Sequence, residues 1–204
     1  MKKLLLIFAA LYIFSWPATA QKAETSFYGG YFKKHYYVRA TQPNARGRYK
    51  LEIEMQSLDE RSDEIYFRFE SRKNPDWTST MEEMKSTYLK WRQTAIENNV
   101  SNVTKLIKRC GFASFLCNPI FKIVNWHDAA YCPISFVFEV NDNSINLVIT
   151  TGAITDHSNH YISSKGGAIV LSSEQEIDDF IACFDDGWVR EFYKSRKNTD
   201  ELFN

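Results

Sequence analysis

Apolar and polar residues alternate along Ile134 to Ile149. Ile134, Phe136, Phe138 and Val140 share one parity, with Ser135, Val137 and Glu139 between them. Asn141, Asp142, Asn143 and Ser144 make a polar turn, after which Ile145, Leu147 and Ile149 resume the alternation. Period-two patterning on both sides of a short turn predicts a β-hairpin with one apolar face. Tyr49 to Met55 repeats the pattern, with Lys50, Glu52 and Glu54 on the polar side. Ile65, Phe67 and Phe69 then alternate with Tyr66, Arg68 and Glu70, which makes a second hairpin. Glu52 or Glu54 can face Arg68 across its strands. Alternation this regular implies a solvated face and favours an antiparallel sheet.

The period lengthens after Asn74-Pro75. Met81, Met84, Tyr88, Trp91 and Ala95 recur at steps of three and four, predicting an amphipathic helix over Ser79–Glu97. Ser79 and Thr80 each have a Glu three residues on, so a capping box is available in either register. A short second helix is predicted from Asn102 to Lys108, stopped by Cys110-Gly111. Phe121 to Trp126 reads as a strand and His127-Asp128 as a loop. Thr151 to Gly167 reads as a long polar connection, and Ala168 to Leu171 as a short apolar strand. Ser172 or Ser173 caps a last helix, with Glu174 and Glu176 where the helix dipole favours acids. Its stripe of Ile177, Phe180, Ile181, Phe184, Trp188, Val189 and Phe192 runs past Gly187, a point of bending or division. This stripe is expected to cover the apolar face of the Ile134–Ile149 hairpin. Near the start, Phe27 to Val38 is dense in aromatic residues and interrupted by Gly29-Gly30; Tyr36 to Ala40 reads as a strand and the rest as its lead-in.

These elements assemble into an α+β fold: an antiparallel sheet of about five to seven strands with helices packed on one face. Residues 1–20 stand apart. Lys2 and Lys3, an apolar run from Leu4 to Phe14, and a small-residue ending at Ala20 form a signal peptide, cleaved near Ala20. Residues 21–204 then constitute a single domain, periplasmic or extracellular, with no transmembrane segment. Without Lys2 and Lys3 the chain holds 23 basic and 25 acidic residues, a formal charge of −2. That balance carries no electrostatic footprint for nucleic acid. An oxidising destination makes disulfides available to Cys110, Cys117, Cys132 and Cys183, of which Cys110 and Cys117 are the nearest pair, and sequence does not choose the connectivity.

Candidate chemistry is sparse. Asp156, His157 and His160 place an acid and two histidines close enough to begin a metal site, without the third or fourth ligand that zinc needs declared by spacing. His127, Asp128 and Cys132 supply the residue types of a Cys/His nucleophilic pair, without a visible activating base or electropositive setting. The aromatic stretch from Phe27 to Tyr37 is either a buried strand or a binding surface, since tyrosine and phenylalanine favour interfaces. No cofactor motif is present. The function expected is non-enzymatic binding of another protein or a cell-envelope component, one form being an inhibitor or immunity protein. The alternative is a small secreted hydrolase or metal-binding protein using the His127–Cys132 or Asp156–His160 loop.

Overall fold

The computed structural model describes residues 22–58, 64–118, 127–141, 144–155 and 163–201, with side chains left out at 64, 111–118, 127–132 and 198–201. The expected signal peptide, the expected strand at Phe121–Trp126 and the Asp156–His160 cluster lie outside the described residues. The strands are β1 (Ala23–Gly29), β2 (Lys34–Ala40), β3 (Lys50–Ser57), β4 (Glu64–Glu70), β5 (Val103–Asn118), β6 (His127–Asn141), β7 (Ser144–Thr151), β8 (Ile154–Thr155), β9 (Ser163–Ser164) and β10 (Gly167–Leu171). The helices are α1 (Asn74–Glu97), α2 (Glu174–Ala182) and α3 (Gly187–Glu201). Eight strands form one sheet in the order β1-β2-β3-β10-β7-β6-β5-β4, and β8 pairs with β9 separately. Every pairing in the large sheet is antiparallel. The fold is α+β.

β4 also pairs with β3, so six strands close into a ring, β3-β10-β7-β6-β5-β4. β3 makes this possible by dividing one of its edges. Its first half, Leu51–Ile53, pairs with β2, whereas Gln56 and Ser57 pair with β10. The β1–β2 hairpin therefore extends the sheet from β3 and parts from it where β10 enters. That entry needs glycine. Gly166 has φ +94°, and a Cβ there would collide with the Gly152 carbonyl and the Thr151 hydroxyl. A Cβ on Gly167 would lie 2.9 Å from that of Met55.

One parity of the strands forms the core: Phe27, Tyr36, Val38, Leu51, Ile53, Met55, Ile65, Phe67, Phe136, Phe138, Leu147, Ile149, Ile169 and Leu171 are all buried. The registers Val38↔Ile53, Ile53↔Phe67, Phe136↔Ile149 and Ile149↔Ile169 align these side chains across strands. Met81, Met84 and Tyr88 of α1 join them, as do Ile177 and Phe180 of α2. Each such side chain contributes about 1.5–3 kcal/mol on leaving water.

Helix α1 begins at Asn74, five residues before the expected start, with Pro75 in its first turn. Proline suits that position, where its missing N–H has no helical partner. Ser79 and Thr80 lie inside the helix instead of capping it. Buried Asn74 donates to the Phe184 carbonyl (2.9 Å), tying the start of α1 to the segment after α2. Of the two serines expected to cap α2, Ser173 does so, accepting from the Glu176 amide (3.2 Å). The last stripe divides into α2 and α3 at Cys183–Asp186, just before Gly187.

Three expectations are corrected. The predicted helix from Asn102 to Lys108 is the start of β5, which runs sixteen residues through Cys110-Gly111. Its β-branched Val103, Thr104 and Ile107 suit a strand, and β6 supplies the ladder; irregularities at Leu106/Lys108 and Cys110/Phe112 hid the alternation. The hairpin cover differs too. Phe138 meets Trp91 and Tyr88 of α1 (ring centroids 5.6 and 6.1 Å), whereas Phe180 packs on Phe27 and Phe184 on Phe69. Finally, no disulfide is formed among the described residues, where Cys110 and Cys183 are free thiols. Cys110 and Cys117 are seven residues apart on one strand, roughly 23 Å at the usual rise, against a limit of about 7 Å for a bridge. Cys132 faces Ala113 across the ladder.

Replacing Gly166 with alanine combines a left-handed backbone with a collision against the β10 entry, and is expected to cost about 2 kcal/mol or more. Urea unfolding of the variant beside wild type measures it; an unchanged midpoint would show that β10 does not depend on this turn.

Candidate functional site

The β1–β2 hairpin sorts its aromatic residues by parity. Its strands pair in unbroken register from Ala23↔Ala40 to Gly29↔Lys34. Gly30 to Lys33 makes the turn, closed by the Lys33 amide donating to the Gly30 carbonyl (3.3 Å), with Lys33 at φ +52°. The expected lead-in to a strand is thus a strand itself, and Gly29-Gly30 marks the end of a hairpin arm.

On the inner side, Phe27 stacks on Tyr36 (5.2 Å, 12°) and meets Phe180 edge-on. A Cβ on Gly29 would lie 2.6 Å from the Tyr36 ring, so glycine lets this ring lie against the backbone. On the outer side, the register puts Tyr28 opposite His35 and Ser26 opposite Tyr37. Tyr28 and His35 touch edge to face at 5.3 Å. Tyr31 and Phe32, at the turn, do the same at 5.0 Å. Tyr28, Tyr31, Phe32 and Tyr37 are 42, 45, 38 and 43% exposed, a partly exposed aromatic strip along the outer side and turn of the hairpin. The buried-strand reading holds for the inner side, and the outer side is partly exposed.

The hairpin is held where it leaves β3. Glu54 accepts from the Tyr37 amide (3.2 Å) and from Lys34 Nζ (2.9 Å), standing in for the ladder that β2 and β3 no longer share. Nearby, Glu52 is almost fully buried and paired with Arg68 (3.0 Å) and Lys22 (3.0 Å). Of the two partners the alternation allowed, Glu52 and Glu54, register sets Glu52 directly across from Arg68. Burial pushes the Glu52 carboxyl up, but the hydrogen bonds and charges of Lys22 and Arg68 outweigh it and hold the group below its ordinary value. Arg39 lies over the Tyr66 ring and bonds Glu24 (2.9 Å).

The Tyr36 hydroxyl is buried with no hydrogen-bond partner among the described residues. Burial, then the charges of Glu54 and Glu176, keep it protonated far above the ordinary phenol range. The Tyr88 hydroxyl differs: it donates to the Ile145 carbonyl (3.0 Å), with that of Ser172 at 3.2 Å, joining α1 to β7 and to the residue after β10.

The residues singled out for chemistry fall elsewhere. His127, Asp128 and Cys132 are on β6, opposite Cys117, Leu116 and Ala113, so the expected loop is strand. Their side chains lie outside the described residues, as do Asp156, His157 and His160 altogether. His127 and Cys132 are five positions apart, roughly 16 Å along an extended strand. Among the described residues no group of three or more His, Cys, Asp or Glu could hold a metal ion. Burial raises the Cys110 thiol, and burial with nearby Asp179 pushes Cys183 up to about 12, so both are poor nucleophiles. No described helix is long and apolar enough to cross a membrane. No family model, curated protein or solved structure matches the chain.

Two outcomes follow. Tyr36→Phe removes an unpaired buried hydroxyl and is expected to leave stability unchanged or raise it by up to ~1 kcal/mol, whereas Tyr88→Phe costs about 1 kcal/mol; equal losses in thermal melts of the two would contradict the contrast. Glu52 has a folded pKa below its unfolded value, so its contribution is complete above the unfolded pKa and is lost as pH falls through the folded one. Wild type should therefore lose stability more steeply than Glu52→Gln between about pH 5 and pH 3, and parallel denaturation curves across that range would contradict the assignment.

Proposed function

We propose that this chain is an exported, non-enzymatic binding protein of the cell envelope, and that the β1–β2 hairpin is its contact surface. The observation that carries the reading is the strip of Tyr28, Tyr31, Phe32 and Tyr37. Four large aromatic side chains stand in water on a hairpin whose opposite side is locked into the core. Exposed aromatic residues cost solubility unless something covers them, and they dominate binding energy at interfaces. The anchoring by Gly29, Glu54 and the Phe27–Tyr36 stack supports the same reading, because a pre-organised surface loses little entropy on binding. Export rests on the Lys2-Lys3 start, the Leu4–Phe14 run and the Ala20 ending. An inhibitor or immunity protein is one form this function takes.

The test mixes the purified chain with the envelope fraction of its host and measures how much sediments with it. Wild type is expected to be retained, and a Tyr31→Ser/Phe32→Ser variant to be lost severalfold at unchanged melting temperature. No retention, or equal retention of both proteins, would sink the reading. The mass of the chain recovered from the host checks export, with Gln21 as the expected first residue.

A further inference from the structure

We infer that the outer edge of β1 pairs with the same edge of a second copy of this chain, joining two sheets in an antiparallel dimer centred on Ser26. The dimer goes beyond the contact surface proposed above and does not rest on it. The direction of the backbone groups carries the inference. Alternate residues of a strand turn their N–H and C=O to opposite edges. The Thr41 amide donates to the Lys50 carbonyl (3.0 Å) and the Tyr37 amide to Glu54 (3.2 Å), so the odd-numbered residues of β2 face β3. Tyr36, Val38 and Ala40 therefore face β1, opposite Phe27, Thr25 and Ala23. The Tyr193 hydroxyl agrees, since it donates to the Ala40 carbonyl (3.2 Å) and accepts from the Ala23 amide (3.5 Å). Glu24, Ser26 and Tyr28 are left with N–H and C=O directed away from β2. β1 ends the sheet, all three residues are exposed, and among the described residues no backbone bond reaches them on that side.

An open edge is a template for another strand unless something blocks it. β5 pairs with β4 only from Ser114 to Asn118, so its first half is a second long open edge. That half is broken by irregularities at Leu106/Lys108 and Cys110/Phe112 and carries Lys105, Lys108 and Arg109, features that deter pairing. β1 keeps an unbroken register with β2 and holds neither proline nor lysine. The order of residues along this edge selects its occupant. An antiparallel two-fold on Ser26 sets Ser26 against Ser26 of the second copy, and Glu24 of each copy against Tyr28 of the other. Every outward group of the three residues is then bonded, two bonds to a pair and about six in all. Moving the axis by one residue leaves Tyr28 or Glu24 without a partner inside the strand, and an axis on Glu24 sets two carboxylates face to face. Glu24, held by Arg39 (2.9 Å), instead lies beside the Tyr28 ring of the second copy, with His35 next in that row. The two outer faces become one, with the small Ser26 pair between Tyr37 of each copy.

Sedimentation equilibrium of the purified chain, processed as recovered from its host, reads the oligomeric state from ~1 μM to ~1 mM. Wild type is expected to dimerise. Ser26→Pro removes an N–H that serves only the open edge, and Ser26→Asp sets two carboxylates against each other at the axis. Each should weaken the dimer about tenfold or more, while Ser26→Ala leaves it unchanged. Melting temperatures confirm that each variant is folded. With an added oxidant, Ser26→Cys should link two copies covalently above the wild-type background, because residues of a hydrogen-bonded pair stand about 5.5 Å apart, within reach of a disulfide. Glu24→Cys alone should not, since its partner is Tyr28. A monomer throughout the range, a dimer that Ser26→Pro and Ser26→Asp leave intact, or linkage through Glu24→Cys in place of Ser26→Cys would overturn the proposal. Tyr31→Ser/Phe32→Ser lies outside the paired segment and should dimerise as wild type does; a dimer lost there and kept in the Ser26 variants would assign the aromatic strip to the second copy and overturn the edge. Loss of envelope retention with an intact dimer would remove the contact surface and leave the edge standing.

Discussion

Strand β3 has three partners, and the architecture follows from how it divides them. One edge carries β4. The other carries β2 along its first half and β10 at its end. A strand edge offers a fixed row of backbone donors and acceptors, so β2 and β10 cannot occupy the same part of it. Where β10 takes over, β2 leaves. The handover closes six strands into a ring and frees the far half of the β1–β2 hairpin from the main ladder. Glycines at 166 and 167 let β10 come in close enough, and the Glu54 carboxylate replaces the lost ladder contact at the Tyr37 amide.

Closure also explains why β10 is buried along its whole length although its neighbours alternate. It is the joint between β3 and β7, crowded on both edges and both faces. Its continuous apolar sequence, Ala168 to Leu171, fits that environment. Nearby, Asn146 and Glu52 are buried polar side chains held by partners. Asn146, fully buried on β7, receives the Ser172 hydroxyl (2.7 Å) and donates to that of Ser144 (2.9 Å). Glu52 is held by two cations. Helix α1 is tied to the sheet by Tyr88 and Asn74, and to α2 by Lys85, which pairs with Asp178 (2.6 Å) and Glu174 (3.0 Å). Lys85 and Asp178 are partly exposed, so that bridge adds little to stability and more to orientation.

The same hairpin geometry serves packing and surface. Successive side chains of a strand point to opposite faces, so a run as aromatic as Phe27 to Tyr37 cannot be buried whole unless both faces are covered. Here the Phe27 and Tyr36 side is covered by α2, and the Tyr28 and Tyr37 side remains in water. The core fixes the inner rings, and through the shared backbone it fixes the outer ones.

The sequence alone determined the elements whose signal is local. Alternation marked β3, β4, β6 and β7, and narrowed the partner of Arg68 to Glu52 or Glu54, because period two follows from the pleat itself. The α1 stripe, the Ser173 cap and the division near Gly187 were legible because they depend on residues one turn apart. The α+β class and the antiparallel pairing came from the same local patterns. Tertiary structure decided the rest. Val103 to Lys108 is strand, since β6 offers a ladder that overrides a weak helical spacing. The cover of the central hairpin is α1, since register and ring closure turn α2 toward β1. Cys110 and Cys117 stay apart, because a continuous strand separates them. Which aromatic residues of Phe27 to Tyr37 face water was also beyond the sequence. Parity divides them into two sets, but only the packing of α2 on one side chooses the set that remains exposed, and with it the surface on which the proposed function depends.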